Sequence, residues 1–484
     1  MRTHIVLRMQ DVLTDNDTAG FELASALWQR GEVAKAEAIL RDIVARVPAH
    51  EDSTMLLAEV LRGQGRLDAA SRAVFEFCSA RGFDLQASLR GARFIQECQR
   101  QQMADEVCRK ALARESASPE LWNLAGNIAR ELGEFERARR CYLASLDNGV
   151  DLNRHAVLGA LAHTTHYADL SHPDFARFVR HFNDAASPAH ARATTGFGLA
   201  KAYDDVGRYD SAAQILRQAN AWMRAEQQWD PAAWTDFVRS RMRGRMAHAR
   251  VTASADFVPI FVVGLPRTGT TLTAAQLSKH SAARDRGELR ILRFIAGTLI
   301  NGGHLEDPGA IEEAAQLYRV HARQDDEPAT WYLDQDPLNF RYLDIAAAMF
   351  PQARMIVCRR NRRDTALSLW SQDFAHPDCA FAYDFADIAH YAAGYDDLMR
   401  HWQRTLPVPM HTMDYESLVA DPQGTLESLR EFVGAPRVDA NAAAGPAPIN
   451  SSSVWQARQP IYSTSVGRWR GYLPYIPELA QFAE

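Results

Sequence analysis

Lysine is nearly absent from this chain. Of its 54 basic residues only Lys35, Lys110, Lys201 and Lys279 are lysine, so any chemistry that needs an ammonium group has few places to find one. Cysteine is also sparse and unpaired. The six thiols (Cys78, Cys98, Cys108, Cys141, Cys358, Cys379) contain no CxxC, which argues against a disulfide framework and predicts buried, reduced side chains. No run approaches the roughly 20 apolar residues of a membrane span. The opening MRTHIVLRMQDVLTDNDTAG lacks both a long apolar core and a small-residue cleavage site, so no signal peptide is expected and a cytoplasmic protein is. Excess positive charge is missing too. The net charge is −6, which supplies no global field for nucleic acid or anionic lipid. What remains is an ordinary globular composition, 47% apolar and 24% charged. At about 150 residues per domain the length allows about three domains.

The front half repeats. Ala36, Ala70, Ala104 and Ala138 stand 34 residues apart; Gly31, Gly65 and Gly133 each precede one of them by five, and Gln99 fills that slot in the third unit. The segments around them carry helical periodicity. A glycine suits the turn between two helices, where positive φ or close approach is needed. An alanine suits the point where the second helix crosses the first. This unit resembles the tetratricopeptide repeat, whose pattern Trp122, Gly126, Ala138 and Tyr142 mostly match. Gly207 and Ala212 repeat the five-residue offset 74 residues after Ala138, two periods plus six, so the intervening unit is degenerate and HTTHYADLSHPD is the expected insertion. Residues 1–250 are therefore read as an all-α repeat domain of five to six helix pairs. Stacked repeats leave a concave surface that suits a docked peptide or protein; a scaffold that only packs against its neighbour is the equal alternative. His163, His166 and His172 lack the spacing of a metal site, and no metal is expected.

From about residue 256 the pattern changes to short apolar runs alternating with helices, which predicts an α/β domain with a mainly parallel sheet over 256–484. VPIFVVG (258–264) reads as a strand buried on both faces, followed by the turn LPRTGTTL and a helix. That order aims backbone N–H groups and a helix N-terminus at an anion. Gly264 and Gly269 have Walker-type spacing, but Thr270 stands where a nucleotide triphosphatase carries lysine. Ordinary ATP or GTP hydrolysis is disfavoured, and a P-loop kinase would have only Asp334 and Asp336 as magnesium ligands. RMIVCRRNRRDTALSLW (354–370) reads as a second strand and helix, with Arg360 at the strand end and Ser368 eight residues on, both able to reach a second anion. MDYESLVADP lies at a third strand-to-helix transition, and SSSVWQARQPIYSTSVGRWRGY is polar and arginine-rich.

These blocks together resemble the PAPS-dependent sulfotransferases, and with the repeats they resemble bacterial members related to protein-tyrosine sulfotransferases. PRTGTTL is similar to the family's 5′-phosphosulfate loop, which implies donor contacts from Arg267, Thr268, Gly269, Thr270, Thr271 and Leu272. Arg360 and Ser368 are similar to its 3′-phosphate pair. Tyr415 matches a nucleotide-contacting position, and Ser453, Arg458 and Arg468 match later donor contacts. The resemblance implies 3′-phosphoadenylyl sulfate (PAPS) as donor, adenosine 3′,5′-bisphosphate as product and a hydroxyl acceptor, with protein tyrosine held by the repeats as one candidate. The missing lysine fits a donor that has no β/γ-phosphate bridge and needs two anion sites, one at each end.

Sulfuryl transfer, like phosphoryl transfer, rests on positioning and charge stabilisation, and a phenol acceptor benefits from a general base. The resemblance assigns that base to Glu288 in DRGELRILRF, with Arg290 and Arg293 beside it to orient it or to bind an acidic acceptor. One catalytic position departs from the family. Gln335 in LDQDPLNF replaces a lysine that neutralises charge on the leaving oxygen, with Arg267 or Arg341 as possible compensation. Losing one such group typically costs about 10²–10³ in rate. The alternative is a repeat-scaffold binding protein whose sulfotransferase domain holds nucleotide without catalysis.

Overall fold

The computed structural model describes residues 13–244, 255–280, 282–374, 376–434 and 465–482. Contacts divide the chain into two compact units, residues 1–150 with 323–327 and residues 151–322 with 328–484.

The first unit is built from helix pairs: Asp15–Gln29 with Val33–Arg46, Glu51–Gly63 with Leu67–Ala80, Leu85–Glu97 with Gln101–Leu112, and Pro119–Glu131 with Phe135–Asp147. Each pair turns in the same way. Gly31, Gly65, Gln99 and Gly133 all have φ between +60° and +80°. In each turn the next residue's N–H reaches back to the preceding helix, as in Glu32 to the Leu27 carbonyl at 2.9 Å and Arg100 to Ile95 at 3.1 Å. That bonding satisfies carbonyls the helix end would otherwise leave open. Ala36, Ala70, Ala104 and Ala138 are fully buried at the helix crossings. Side chains are excluded at Gly126 as well, where a Cβ would lie 2.6 Å from the Tyr142 ring.

The second unit joins five further helices to a sheet. The helices are Val157–Ala162, Pro173–Asn183, Ala189–Asp205, Tyr209–Glu226 and Pro231–Arg243. HTTHYADLSHPD, the expected insertion, bridges the first two, and His172 caps the second by accepting from the Asp174 N–H at 3.3 Å. The sheet is parallel throughout, with strands β1 (Val258–Gly264), β2 (Ala283–Asp285), β3 (Trp331–Asp334), β4 (Arg354–Arg359) and β5 (Met410–Asp414) in the order β2-β3-β1-β4-β5. β1 is central and buried on both faces. Ile260 and Val262 join one apolar cluster with Leu277, Ile356 and Leu418, while Phe261 and Val263 join another with Tyr318, Phe350 and Met355. The second cluster continues without interruption into Phe197, Leu216, Met223, Trp234 and Val238 of the preceding helices. Trp234 stacks on Tyr391 with ring centroids 4.4 Å apart. All six cysteines are buried free thiols.

Because β2 and β3 lie on one side of β1 and β4 and β5 on the other, the chain reverses direction across the sheet between β1 and β4. Loops leaving the carboxyl ends of such a pair diverge and open a crevice, the usual ligand position in parallel α/β sheets.

Candidate functional site

Both predicted anion loops lie at that crevice. The loop after β1 leads into helix Thr270–Leu277, with Gly269 at its N-cap in the left-handed region (φ +99°). A Cβ there would lie 2.7 Å from the Tyr415 ring, so only glycine lets the loop sit this close to the start of the helix after β5. Arg267 is left-handed too (φ +75°), an uncommon and costly conformation for a residue with a side chain. Strain of this kind persists where surrounding contacts hold it. Arg267 Nε donates to Ser368 Oγ at 3.1 Å, and the Arg267 carbonyl accepts from Arg360 Nη1 at 3.1 Å.

The two groups are therefore in contact rather than in separate pockets. Arg360 leaves the end of β4, donates its Nη2 to the Ser465 carbonyl at 2.6 Å and lies over the Tyr415 ring, 4.7 Å from its centroid. The Tyr415 hydroxyl meets Ser465 Oγ at 2.7 Å. Helix Arg362–Trp370, which carries Ser368, is capped by Asn361 Oδ1 accepting from the Arg363 and Asp364 N–H groups. A cavity of about 700 Å³ opens beside these loops, lined by Thr268, Arg359, Arg360, Arg362, Asp414 and Glu416 among others.

The other residues of the loop differ in where their side chains go. Thr268 turns its hydroxyl inward to the Leu265 carbonyl at 2.7 Å, and Leu272 packs into the cluster beneath the sheet. These two, with the buried Thr270 and Thr271, place the first helical turn at the loop. Arg468 is engaged elsewhere: its Nη2 lies 3.0 Å from Asp204 Oδ1 in helix Ala189–Asp205, so its guanidinium is committed to an ion pair and not to Arg267, Arg360 or Ser368. Ser453 and Arg458 lie outside the described residues.

Glu288 follows β2, next to the end of β3: the Gln335 N–H donates to the carbonyl of the adjoining Gly287 at 2.9 Å. Its carboxyl is half-buried and makes no hydrogen bond among the described residues. Burial, reinforced by the nearby Asp336 carboxylate, pushes it up to about 8, against the pull of Arg290, Arg267 and Arg293. A carboxyl poised near neutrality and not otherwise engaged is what a general base requires. Burial raises Asp336 as well, and holds Asp334 far above the usual carboxylate range. Asp334 accepts from the Leu289 and Asp336 N–H groups and from the Tyr318 hydroxyl at 3.0 Å, which fixes this corner. Gln335 is 1% exposed, and its Oε1 has no partner among the described residues. Neither suggested substitute for the lysine is idle. Arg341 donates to the Tyr391 hydroxyl at 2.8 Å and Arg267 to Ser368, but Arg267 acts on Glu288 and so borders both halves of the site.

Sequence reasoning missed Ser465 and Asp364. Ser465 falls in a polar run with no periodic signal, and its role arises only when the chain returns to Tyr415. Asp364 reads as an ordinary first-turn acidic residue.

Residues 259–439 match the sulfotransferase family, and residues 21–76 and 119–147 match tetratricopeptide repeats. The chain carries a sulfotransferase-family domain behind tetratricopeptide repeats. An uncharacterized protein of Aquifex aeolicus is 31% identical over 62% of this chain and 43% of its own length. Protein-tyrosine sulfotransferase 1 of Danio rerio is 26% identical over 45% of this chain and 67% of its own. The chain thus spans less than half of the Aquifex protein and about two thirds of the zebrafish enzyme. Among solved structures, the sulfotransferase domain of the Synechococcus PCC 7002 olefin synthase aligns at 17% identity with a TM-score of 0.35, over 50% of this chain and 99% of that one. The sulfotransferase match begins in β1 and runs past β5, so it contains Arg267, Glu288, Gln335, Arg360, Ser368 and Tyr415.

Proposed function

We propose that the sulfotransferase domain transfers a sulfuryl group from 3′-phosphoadenylyl sulfate to an acceptor hydroxyl. The observation that carries this reading is the contact of Arg267 with Ser368 and Arg360 at the β1/β4 crevice, beside a carboxyl raised to about 8. The fit to the donor is chemical. One end is anionic and suits the helix N-terminus with Arg267; the second phosphate suits Arg360 and Ser368. The glycine at 269 lets the loop pack against the Tyr415 ring, which brings the first helical turn beside Arg360.

In the reaction the acceptor O–H gives its proton to Glu288 while its oxygen forms a bond to sulfur. The bond from sulfur to the phosphate oxygen breaks, and the leaving electron pair stays on adenosine 3′,5′-bisphosphate. Arg267 faces the charge that develops on the bridging oxygens. Arg290, which acts on Glu288, adds positive charge on the acceptor side, whereas Arg293 is paired with Asp378; an acceptor with an acid group near its hydroxyl, such as a tyrosine in an acidic peptide, would meet Arg290. We assign catalysis to residues 256–484 and acceptor docking to the repeats within 1–250.

Two measurements test this. Calorimetry with adenosine 3′,5′-bisphosphate is expected to give saturable binding at one site; absence of heat and of any thermal shift ends the reading. Transfer of radiolabelled sulfate from the donor is expected with the intact chain and lost in Glu288→Ala. Nucleotide binding without transfer would instead support the binding-protein alternative, which Gln335 favours.

A further inference from the structure

The segment from Ser465 to Tyr472 lies across the nucleotide side of the crevice, and two acids, the buried Asp364 and the partly exposed Asp204, tie it down. Asp364 is 1% exposed. Its Oδ2 accepts from the Gly467 N–H at 2.6 Å and its Oδ1 from the Trp469 N–H at 3.0 Å. Gly467 is left-handed (φ +74°), which presents both amides to one carboxylate. Arg363, the neighbour of Asp364, lies over the Trp469 ring 4.5 Å from its centroid. Further along, Asp204 accepts from the Tyr472 hydroxyl at 2.6 Å and pairs with Arg468.

The Ser465 side of this segment matters chemically. Ser465 receives Arg360 on its carbonyl and meets Tyr415 through its hydroxyl. Asp364 sits one turn before Ser368 on the same helix. A single carboxylate therefore sets the distance between the helix bearing Ser368 and the segment that orients Arg360, without itself bonding to the Ser368 or Arg360 side chain. Among the described residues no basic side chain forms an ion pair with it; its carboxylate accepts from backbone amides. Charge-assisted bonds of this kind are short and directional, which suits registration better than a flexible ion pair would.

We propose that Asp364 is a positioning residue for nucleotide binding, fastening the 465–472 segment so that Arg360 and Ser368 are held ready for one phosphate. The proposal rests on the functional reading above. Its energetic signature is preorganisation: the cost of ordering these groups is met on folding rather than on binding.

The test uses the full chain and the near-isosteric Asp364→Asn, which keeps the volume but can accept only one of the two N–H bonds. Calorimetry with adenosine 3′,5′-bisphosphate is expected to show at least tenfold weaker binding. Steady-state kinetics should show KM for the donor rising with kcat changed less than threefold, the pattern of lost ground-state and transition-state binding alike. Hydrogen exchange should accelerate at the Gly467 and Trp469 amides and stay unchanged in helix Arg362–Trp370. A purely structural role would instead lower the thermal midpoint and leave affinity of the folded fraction intact, which overturns the proposal, as does unchanged exchange at 467 and 469. Ser465→Ala, which keeps the carbonyl and loses only the hydroxyl, provides a second variant with a smaller expected loss of affinity; affinity unchanged in both variants also overturns it. If the unsubstituted chain binds no nucleotide, the functional reading fails, while the exchange experiment still reports whether Asp364 anchors the segment.

Discussion

At the scale of single residues, the roles proposed for Glu288 and Gln335 each carry a measurable consequence. Glu288 must lose its proton to act as a base. With its carboxyl raised to about 8, kcat/KM should climb with unit slope up to about pH 8 and level off above it. Because Asp336 is the leading charge behind that rise, Asp336→Asn should move the limb to lower pH; a limb that stays in place would exclude Asp336 as its cause. The same shift affects stability. A carboxyl that is harder to ionise in the folded chain favours the native state fully below its ordinary value of 4.5, and that advantage is lost as pH rises through about 8. Glu288→Gln should therefore leave the thermal midpoint unchanged at pH 4 and raise it at pH 9. Gln335 supplies no charge. If the missing cation limits turnover, Gln335→Lys should increase kcat; an equal or lower kcat would assign the limit elsewhere. The lone Oε1 and the half-buried carboxyl were not legible from sequence, since both are properties of what surrounds the residue.

Elements show the clearest correspondence between pattern and structure. The 34-residue spacing predicted the helix pairs of the first unit, and the left-handed turns at Gly31, Gly65 and Gly133 explain why glycine recurs there. Gln99 is the instructive exception, because it adopts φ +60° with a side chain attached. Gln99→Gly removes that strain at a position where the backbone conformation already suits glycine. It should stabilise the chain by about 1 kcal/mol, read as a higher denaturant midpoint at unchanged slope. A destabilisation would mean that the Gln99 side chain compensates through its contacts. In the second unit the expectations at 258–264 and 354–370 agree with β1, with β4 and with the helix after it, because continuous apolar runs of that length have one use in a parallel sheet. β2 and β3, of three and four residues, carried too little periodic signal to be read.

For the whole molecule, the organising fact is the shared core of the second unit. Helices from residue 189 to residue 243 pack into the same apolar cluster as β1, β3 and β4. Gly394 lets helix Phe385–Thr405 approach Trp234 so closely that a Cβ would lie 2.4 Å from the indole Nε1. Nearby, Arg241 forms a buried ion pair with Asp344. Trp234→Ala should cost about 3–5 kcal/mol. If these helices and the sheet fold together, the loss should appear as one transition, with helical signal and nucleotide binding lost at the same temperature. Two separated transitions would show that the helices fold independently. A 34-residue repeat could announce that helices 209–226 and 189–205 pair, but not that they would share one apolar core with a sheet.

The sequence by itself determined the local grammar: where helices turn, where a strand must be buried, and that a glycine-bearing loop without lysine leads from a strand into a helix N-terminus. These depend on residue spacing and on backbone conformations each residue can tolerate, and both are local. Only the tertiary structure decided that Arg267 touches Ser368, that Glu288 is hard to ionise, and that Arg468 belongs to Asp204. Those outcomes depend on distances between residues up to 264 apart in the chain and on the water excluded around them, which no spacing encodes.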